Sequence, residues 1–259
     1  MKHAISHGCT NITTFSDRYK GVVFLLTLGT LGGLAPHQAI AALIYSNDFS
    51  VGAGSEWSNP TTAVANGEHF LGASASGFGN GSNILTLSGL PAHTDVTVNF
   101  DLYIIQTWDG NGPQGGGPDN WQLTANGVNL LFTNFANYTQ GNTQTYPNQL
   151  TPFGSGGAFA PRTDAFDNGH LGFGTGDGGD ATYRFTITSA DTSPNIAFAF
   201  TSFQNQAPGD EGWGLDNVRV SVTSTTTVPE PASVTLLAVG LAGLGCVRRG
   251  RKETSRVAR

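Results

Sequence analysis

The sequence predicts an all-β protein, a two-sheet antiparallel sandwich. Three observations predict it. Apolar and polar residues alternate with period two in several short runs, 36 glycines and 12 prolines punctuate the 259 residues, and charged residues amount to only 12%. Alternation marks strands with one buried face, and turn formers separate them. Scarce Lys and Glu leave little material for solvent-exposed helix faces.

The first element is a leader. Lys2, Arg18 and Lys20 precede the apolar run Val22 to Leu34, followed by Pro36 and the small-residue pattern Ala39-Ile40-Ala41. These are the three parts of a secretory signal, so 1–41 is expected to be a signal helix cleaved between Ala41 and Ala42. A retained anchor or a buried helix is the alternative.

The sandwich is expected over 42–222 as about nine strands. Short candidates are Leu43 to Phe49, His69 to Gly72 and Ile84 to Leu87. The clearest signal runs from Asp95 to Trp108, where Val96, Val98, Phe100, Leu102 and Ile104 share one face and Asp95, Thr97, Asn99 and Asp101 the other. Asp101 is therefore expected to face solvent. Trp121 to Phe132 reads as a hairpin turning at Asn126-Gly127, a pair that accepts the left-handed backbone a tight hairpin needs. Tyr183 to Ile187, Ile196 to Phe200 and Val218 to Val222 complete the set. The Gly-rich segments Asp109 to Asn120 and Gly154 to Asp180 are long loops, where binding residues usually collect.

After the strands comes a polar linker with Pro229-Glu230-Pro231 over 223–231, an apolar segment over 232–247 read as a transmembrane helix, and a basic tail over 248–259 expected in the cytoplasm. The contiguous order of Pro229, Glu230 and Pro231, apolar helix and Arg-rich end resembles the PEP-CTERM sorting signal of bacterial exported proteins. That resemblance implies an exosortase-type membrane protease as partner, acting at the Pro-Glu-Pro triplet. It also implies a precursor anchored in the inner membrane whose sandwich ends at the cell surface or outside the cell, in a setting rich in exopolysaccharide. An ordinary C-terminal anchor is the alternative.

Charge and cysteine content fit export. Residues 42–228 carry three arginines, no lysine and fifteen acids, a net of −12. Such a body repels nucleic acid and suits divalent cations or neutral glycans. Cys9 and Cys246 both lie outside it, so no disulfide staples the sandwich.

The runs Phe100 to Asn111, Gly117-Pro118-Asp119-Asn120-Trp121 and Glu211-Gly212-Trp213-Gly214-Leu215-Asp216-Asn217-Val218 resemble a group of bacterial exported β-sandwiches that carry the same tail. Gly214 to Val218, with Asn47-Asp48-Phe49, is also similar to jelly-roll carbohydrate-binding and lectin-like domains. In those domains the first and last strands are neighbours, and a carboxylate from each holds a structural calcium. The resemblance assigns that role to Asp48 and Asp216. Independently, if Val218, Val220 and Val222 face the core and the period continues back, Asp216 points inward and needs a cation or several donors. A bulge at Asp216-Asn217 would turn it elsewhere.

Trp108, Trp121 and Trp213 stand at expected strand ends beside polar loops. With Asp109, Asn111 and Asp119 they form a candidate glycan site, indole faces stacking on sugar rings and the polar groups meeting hydroxyls. Core burial is the competing expectation for each indole. Within 42–228 there is no nucleophile elbow, and His69, His93 and His170 form no His-x-x-x-His or His-Glu-x-x-His metal motif. The expected function is therefore noncatalytic: a surface or matrix protein contacting exopolysaccharide. A purely structural protein, or a glycan-cleaving enzyme built on a carboxylate pair, remains the alternative.

Overall fold

The computed structural model describes residues 37–112, 116–150 and 156–227. Eleven strands lie within them: β1 (His37–Asn47), β2 (Thr62–Ala65), β3 (Glu68–Leu71), β4 (Gly81–Ser88), β5 (Asp95–Gln106), β6 (Asn120–Ala125), β7 (Val128–Asn134), β8 (Asp167–Asn168), β9 (Asp180–Ala190), β10 (Asn195–Phe203) and β11 (Glu211–Thr227). Among the described residues no helix is long and apolar enough to cross a membrane. The expected signal helix up to residue 36, the Pro229-Glu230-Pro231 triplet, the apolar segment 232–247 and the basic tail lie outside them.

The strands form two antiparallel sheets, β2-β3-β11-β5-β9-β8 with β1 also on β11, and β4-β10-β6-β7. Setting aside the short strands β2, β3 and β8, the orders β1-β11-β5-β9 and β4-β10-β6-β7 are those of a jelly roll, two Greek keys wrapped into a sandwich. First and last strands are neighbours, Ala42 opposite Val222 and Asn47 opposite Val218. β1 begins at His37, so the expected cleavage point between Ala41 and Ala42 falls inside a paired strand, with 37–41 opposite 223–227.

The core follows from the alternation. Val96, Val98, Phe100, Leu102 and Ile104 of β5 bury against Leu123 of β6 and Ile196, Phe198 and Phe200 of β10. Phe100 sits centrally, 5.3 Å from the Phe200 ring, 5.9 Å from Trp121 and 5.0 Å from Phe185. Each such side chain contributes about 1.5–3 kcal/mol through the area it removes from water.

Two departures from simple alternation shape the rest. The second half of β5 is buried on both faces, because Phe70 of β3 and Leu171 cover Tyr103 and Ile105 on the outer side. Asp101 is consequently not solvent-facing: it is 4% exposed and holds Arg184 through paired bonds of 2.7 and 3.0 Å. In β11 a bulge between Asp216 and Arg219, with Asn217 at φ 52°, shifts the core face from Trp213 and Leu215 to Val218, Val220 and Val222. Asp216 therefore does not share the face of Val218; it lies opposite Asp101 and meets the Tyr103 hydroxyl on the outer side.

Candidate functional site

Glu211 opens β11, and period two places it on the core face with Trp213 and Leu215. Asp119 immediately precedes β6 and extends the buried register of Trp121 and Leu123. Asp109 follows Trp108, whose indole N–H donates to the Gly212 carbonyl at 2.7 Å and so ties the end of β5 to the start of β11. Together these strand ends bring Asp109, Asp119 and Glu211 to one end of the sandwich, with one carboxylate oxygen of each within 4.8 Å of the others. Asp119 and Glu211 are 0% exposed and Asp109 9%.

Local backbone chemistry makes this convergence possible. Gly110 turns at φ 60°, and a Cβ there would stand 2.3 Å from the Thr143 carbonyl oxygen. A Cβ on Gly116 would stand 1.6 Å from Asp109 Oδ2, so glycine lets the loop close over that carboxylate without displacing it. Asp109 N–H donates to Asp119 Oδ2, and Asn142 Nδ2 donates to Asp109 Oδ1 at 2.7 Å. Beyond these bonds, Asp119 Oδ1, both Glu211 oxygens and Asn142 Oδ1 have no hydrogen-bond partner among the described residues.

Among the described residues no cation pairs with the three acids. Arg184 is engaged by Asp101, and Arg162 donates to the Gly176 carbonyl at 2.6 Å and to that of Thr175. None of the ion pairs among the described residues includes Asp109, Asp119 or Glu211. Burial raises all three pKa values, and the neighbouring acid charges add to it: Asp119 is pushed up to about 6 and Glu211 to about 9. Such a cluster holds protons or a hard cation.

The glycan site expected from the sequence is overturned at its aromatic residues. Trp108 and Trp121 are 0% exposed and Trp213 1%, so no indole face is available to a sugar ring. Trp121 and Trp213 pack edge to face at 6.2 Å, and Trp213 donates to the Gly79 carbonyl at 2.8 Å. Asn111 is a loop clamp, donating to Thr143 Oγ1 at 2.9 Å and the Gly157 carbonyl at 3.0 Å while accepting from Asn134. Asp109 and Asp119 are brought together, but in the interior.

The expected calcium pair, Asp48 and Asp216, is met by protein donors. Exposed Asp48 accepts from the Ser50 hydroxyl at 2.7 Å, which lowers its pKa. Asp216 accepts from Tyr103 and, at 2.6 and 2.9 Å, from the backbone and side chain of Asn217. Neither belongs to a group of three convergent metal-ligand side chains among the described residues. Glu211 and Asn142 were not singled out by the sequence. The signal for Glu211 was its spacing, two before Trp213 and four before Leu215, but it is readable only once β11 is known to begin there. Ala39, Ala41 and Ala42 lie in β1.

Comparison with known proteins gives one sequence match. Residues 227–250 match the PEP-CTERM protein-sorting motif, beginning at the last residue of β11. The match confirms the resemblance seen at the tail; this signal marks bacterial proteins that are exported, pass the membrane and are processed by an exosortase. No curated protein matches the sequence. Among solved structures, dimeric latent PorU from Porphyromonas gingivalis is similar at TM-score 0.36 and 12% identity over 73% of this chain, which spans only 13% of that protein's length. The K3 cleaved adhesin domain of Lys-gingipain from P. gingivalis W83 aligns at TM-score 0.30 and 15% identity, covering 70% of this chain and 99% of that one. The Agl-KA catalytic domain aligns at TM-score 0.28 and 12% identity, covering 76% and 29%.

Proposed function

We propose that this chain is an exported, noncatalytic protein of the cell surface or extracellular matrix, delivered as a membrane-passing precursor and released to its site by an exosortase. The sorting motif at 227–250, directly following the last strand of the sandwich, carries this reading. Replacing Pro229, Glu230 and Pro231 together by alanine is expected to leave the unprocessed chain in the membrane fraction of the producing cell. Normal processing of that variant would remove the exosortase from the account.

Exopolysaccharide contact belongs on the outer face of the larger sheet. Asn99, Asp101, Arg184, Thr186, Asn217 and Arg219 line a groove there of about 490 Å³. Amide, hydroxyl and guanidinium groups on rigid strands are suitable partners for sugar hydroxyls. Retardation of the protein in gels cast with the producer's exopolysaccharide, lost in Arg184→Ala with Arg219→Ala, is the expected result. Equal retardation of variant and wild type would move the contact elsewhere. The noncatalytic part of the reading is supported by burial: a polymer cannot reach Asp119 or Glu211, so this convergent set of acids is poorly placed to cleave one. Product analysis after prolonged incubation with the same polysaccharide tests it, and chain shortening would overturn it.

A further inference from the structure

Buried carboxylates that converge without a compensating cation are costly, because each charge leaves water and repels the next. Here three acids meet in a lysine-free body whose ion pairs lie elsewhere. No donor from the rest of the described protein reaches Glu211: wholly buried, its carboxyl meets only that of Asp119, a contact that requires the two acids to share a proton or a cation to stand between them. A second group, which carries no charge, points the same way. Asn142 is 3% exposed and anchored to Asp109 Oδ1 by its Nδ2 at 2.7 Å, yet its own Oδ1 has no partner. A buried amide held against this cluster with its oxygen unused offers a neutral ligand of the kind a hard cation accepts.

We propose that Asp109, Asp119 and Glu211, with Asn142 as a neutral oxygen donor, form a binding site for a divalent cation of the calcium class that joins the two sheets at one end of the sandwich. Oxygens within 4.8 Å of one another fit on one sphere, since ligands 2.3–2.6 Å from a calcium ion and opposite each other are about 4.6–5.2 Å apart. The donors are all oxygens, as a hard cation prefers, and no sulfur or imidazole is among them. Calcium is favoured over magnesium because it sheds its water readily, whereas magnesium tends to keep several waters that a fully buried Glu211 and Asp119 leave little room for. Structurally, the ion would connect the loop after β5 and the start of β11, both on the larger sheet, to the entry of β6 on the smaller one. The exterior of a cell, where calcium is plentiful, is the setting in which such a site fills; the site itself does not depend on glycan contact.

The full-length chain, purified in detergent and stripped with EDTA, provides the test. Trp108, Trp121 and Trp213 lie within two residues of the proposed ligands, so terbium bound there should show tryptophan-sensitised luminescence that added calcium displaces. Free calcium about 100-fold above its Kd should raise the melting temperature by about 5–10 °C. Glu211→Gln and Asp119→Asn should abolish both signals while remaining folded in EDTA, and Glu211→Gln should melt higher than the stripped wild type at pH 8. Asp216→Asn should retain both signals. The proposal fails if calcium changes neither signal, if magnesium alone does so, or if Glu211→Gln keeps the response and Asp216→Asn loses it. Because sorting and polysaccharide retention are measured separately, their failure leaves this result interpretable.

Discussion

Trp108 shows how one side chain can be mistaken for a ligand contact. Its position beside Asp109 and a Gly-rich loop suited a sugar platform, yet the ring is enclosed and its N–H satisfies the Gly212 carbonyl. Trp108→Phe keeps the aromatic bulk and removes this buried bond, while the Gly212 carbonyl keeps its place in the β5–β11 ladder, so unfolding in urea should show a loss of about 0.5–1.5 kcal/mol with little change in the denaturant slope. An unchanged midpoint would mean the bond contributes nothing. The same distinction separates Asp48 from Glu211. Both are acids at strand ends, but the first is exposed and bonded to Ser50, and the second is sealed beneath the loops with no donor. Residue identity and spacing do not disclose which acid is enclosed; that depends on which loops fold over it. Asn142 was beyond sequence reasoning for this reason, since nothing around it in the chain alternates or repeats.

At the scale of elements, the strands with one wet face were readable. The first half of β5, β9 from Tyr183 onward and β10 follow their alternation, and the β6–β7 hairpin turns where Asn126 and Gly127 stand, at φ 48° and 79°. The same dipeptide, Asn66-Gly67 at φ 51° and 85°, closes the β2–β3 hairpin, whose first strand has no clear alternation because Thr62–Ala65 is four residues of small side chains. β11 was recognised only from Val218 onward. Gly212 and Gly214 interrupt its apolar pattern because Ser76 and Phe70 lie against the strand there, and a Cβ would meet the Ser76 carbonyl oxygen at 1.7 Å or the Phe70 ring at 2.5 Å. The bulge then reverses the pattern midway. Asn217 holds that bulge, accepting a left-handed backbone and donating to Asp101 at 3.0 Å and Asp216 at 2.9 Å. Asn217→Ala should cost about 2–4 kcal/mol from strain and two buried acids left short of a donor, whereas Asn217→Gly, which relieves the strain, should cost less. Equal losses in chemical denaturation would show that backbone strain is not part of the cost.

For the whole molecule, acids in two kinds of environment set the response to pH. Asp48 and Asp177 have lowered pKa values, chiefly through hydroxyl donors on Ser50 and Thr139, so their contribution is present above the ordinary carboxylate range and lost as pH falls through the folded values. Asp119, Asp216 and Glu211 act in the opposite sense. Burial raises them to about 6, about 7 and about 9, so the folded state holds protons that the unfolded chain releases near pH 4, and stability declines from there up to about pH 9. In EDTA the melting temperature should therefore fall between pH 6 and 9. Saturating calcium, which needs the ionised forms at Asp119 and Glu211, should flatten or reverse that slope. A slope unaffected by EDTA or calcium would separate the acid cluster from any metal. The tail, by contrast, was legible without any structure, because a triplet, an apolar run and a basic end are read in order along the chain and need no folding to be recognised.

β11 runs for 17 residues, from the acid cluster at Glu211 to the first residue of the sorting motif at Thr227, with β5 hydrogen-bonded along one edge and β1 along much of the other. Tension reaching the domain from its C-terminal side therefore enters along the axis of its longest strand. It loads two rows of bridging bonds in shear at once, the arrangement that resists mechanical extraction better than peeling. The far end of that strand, roughly 50 Å away, is where a bound ion would act as a rivet.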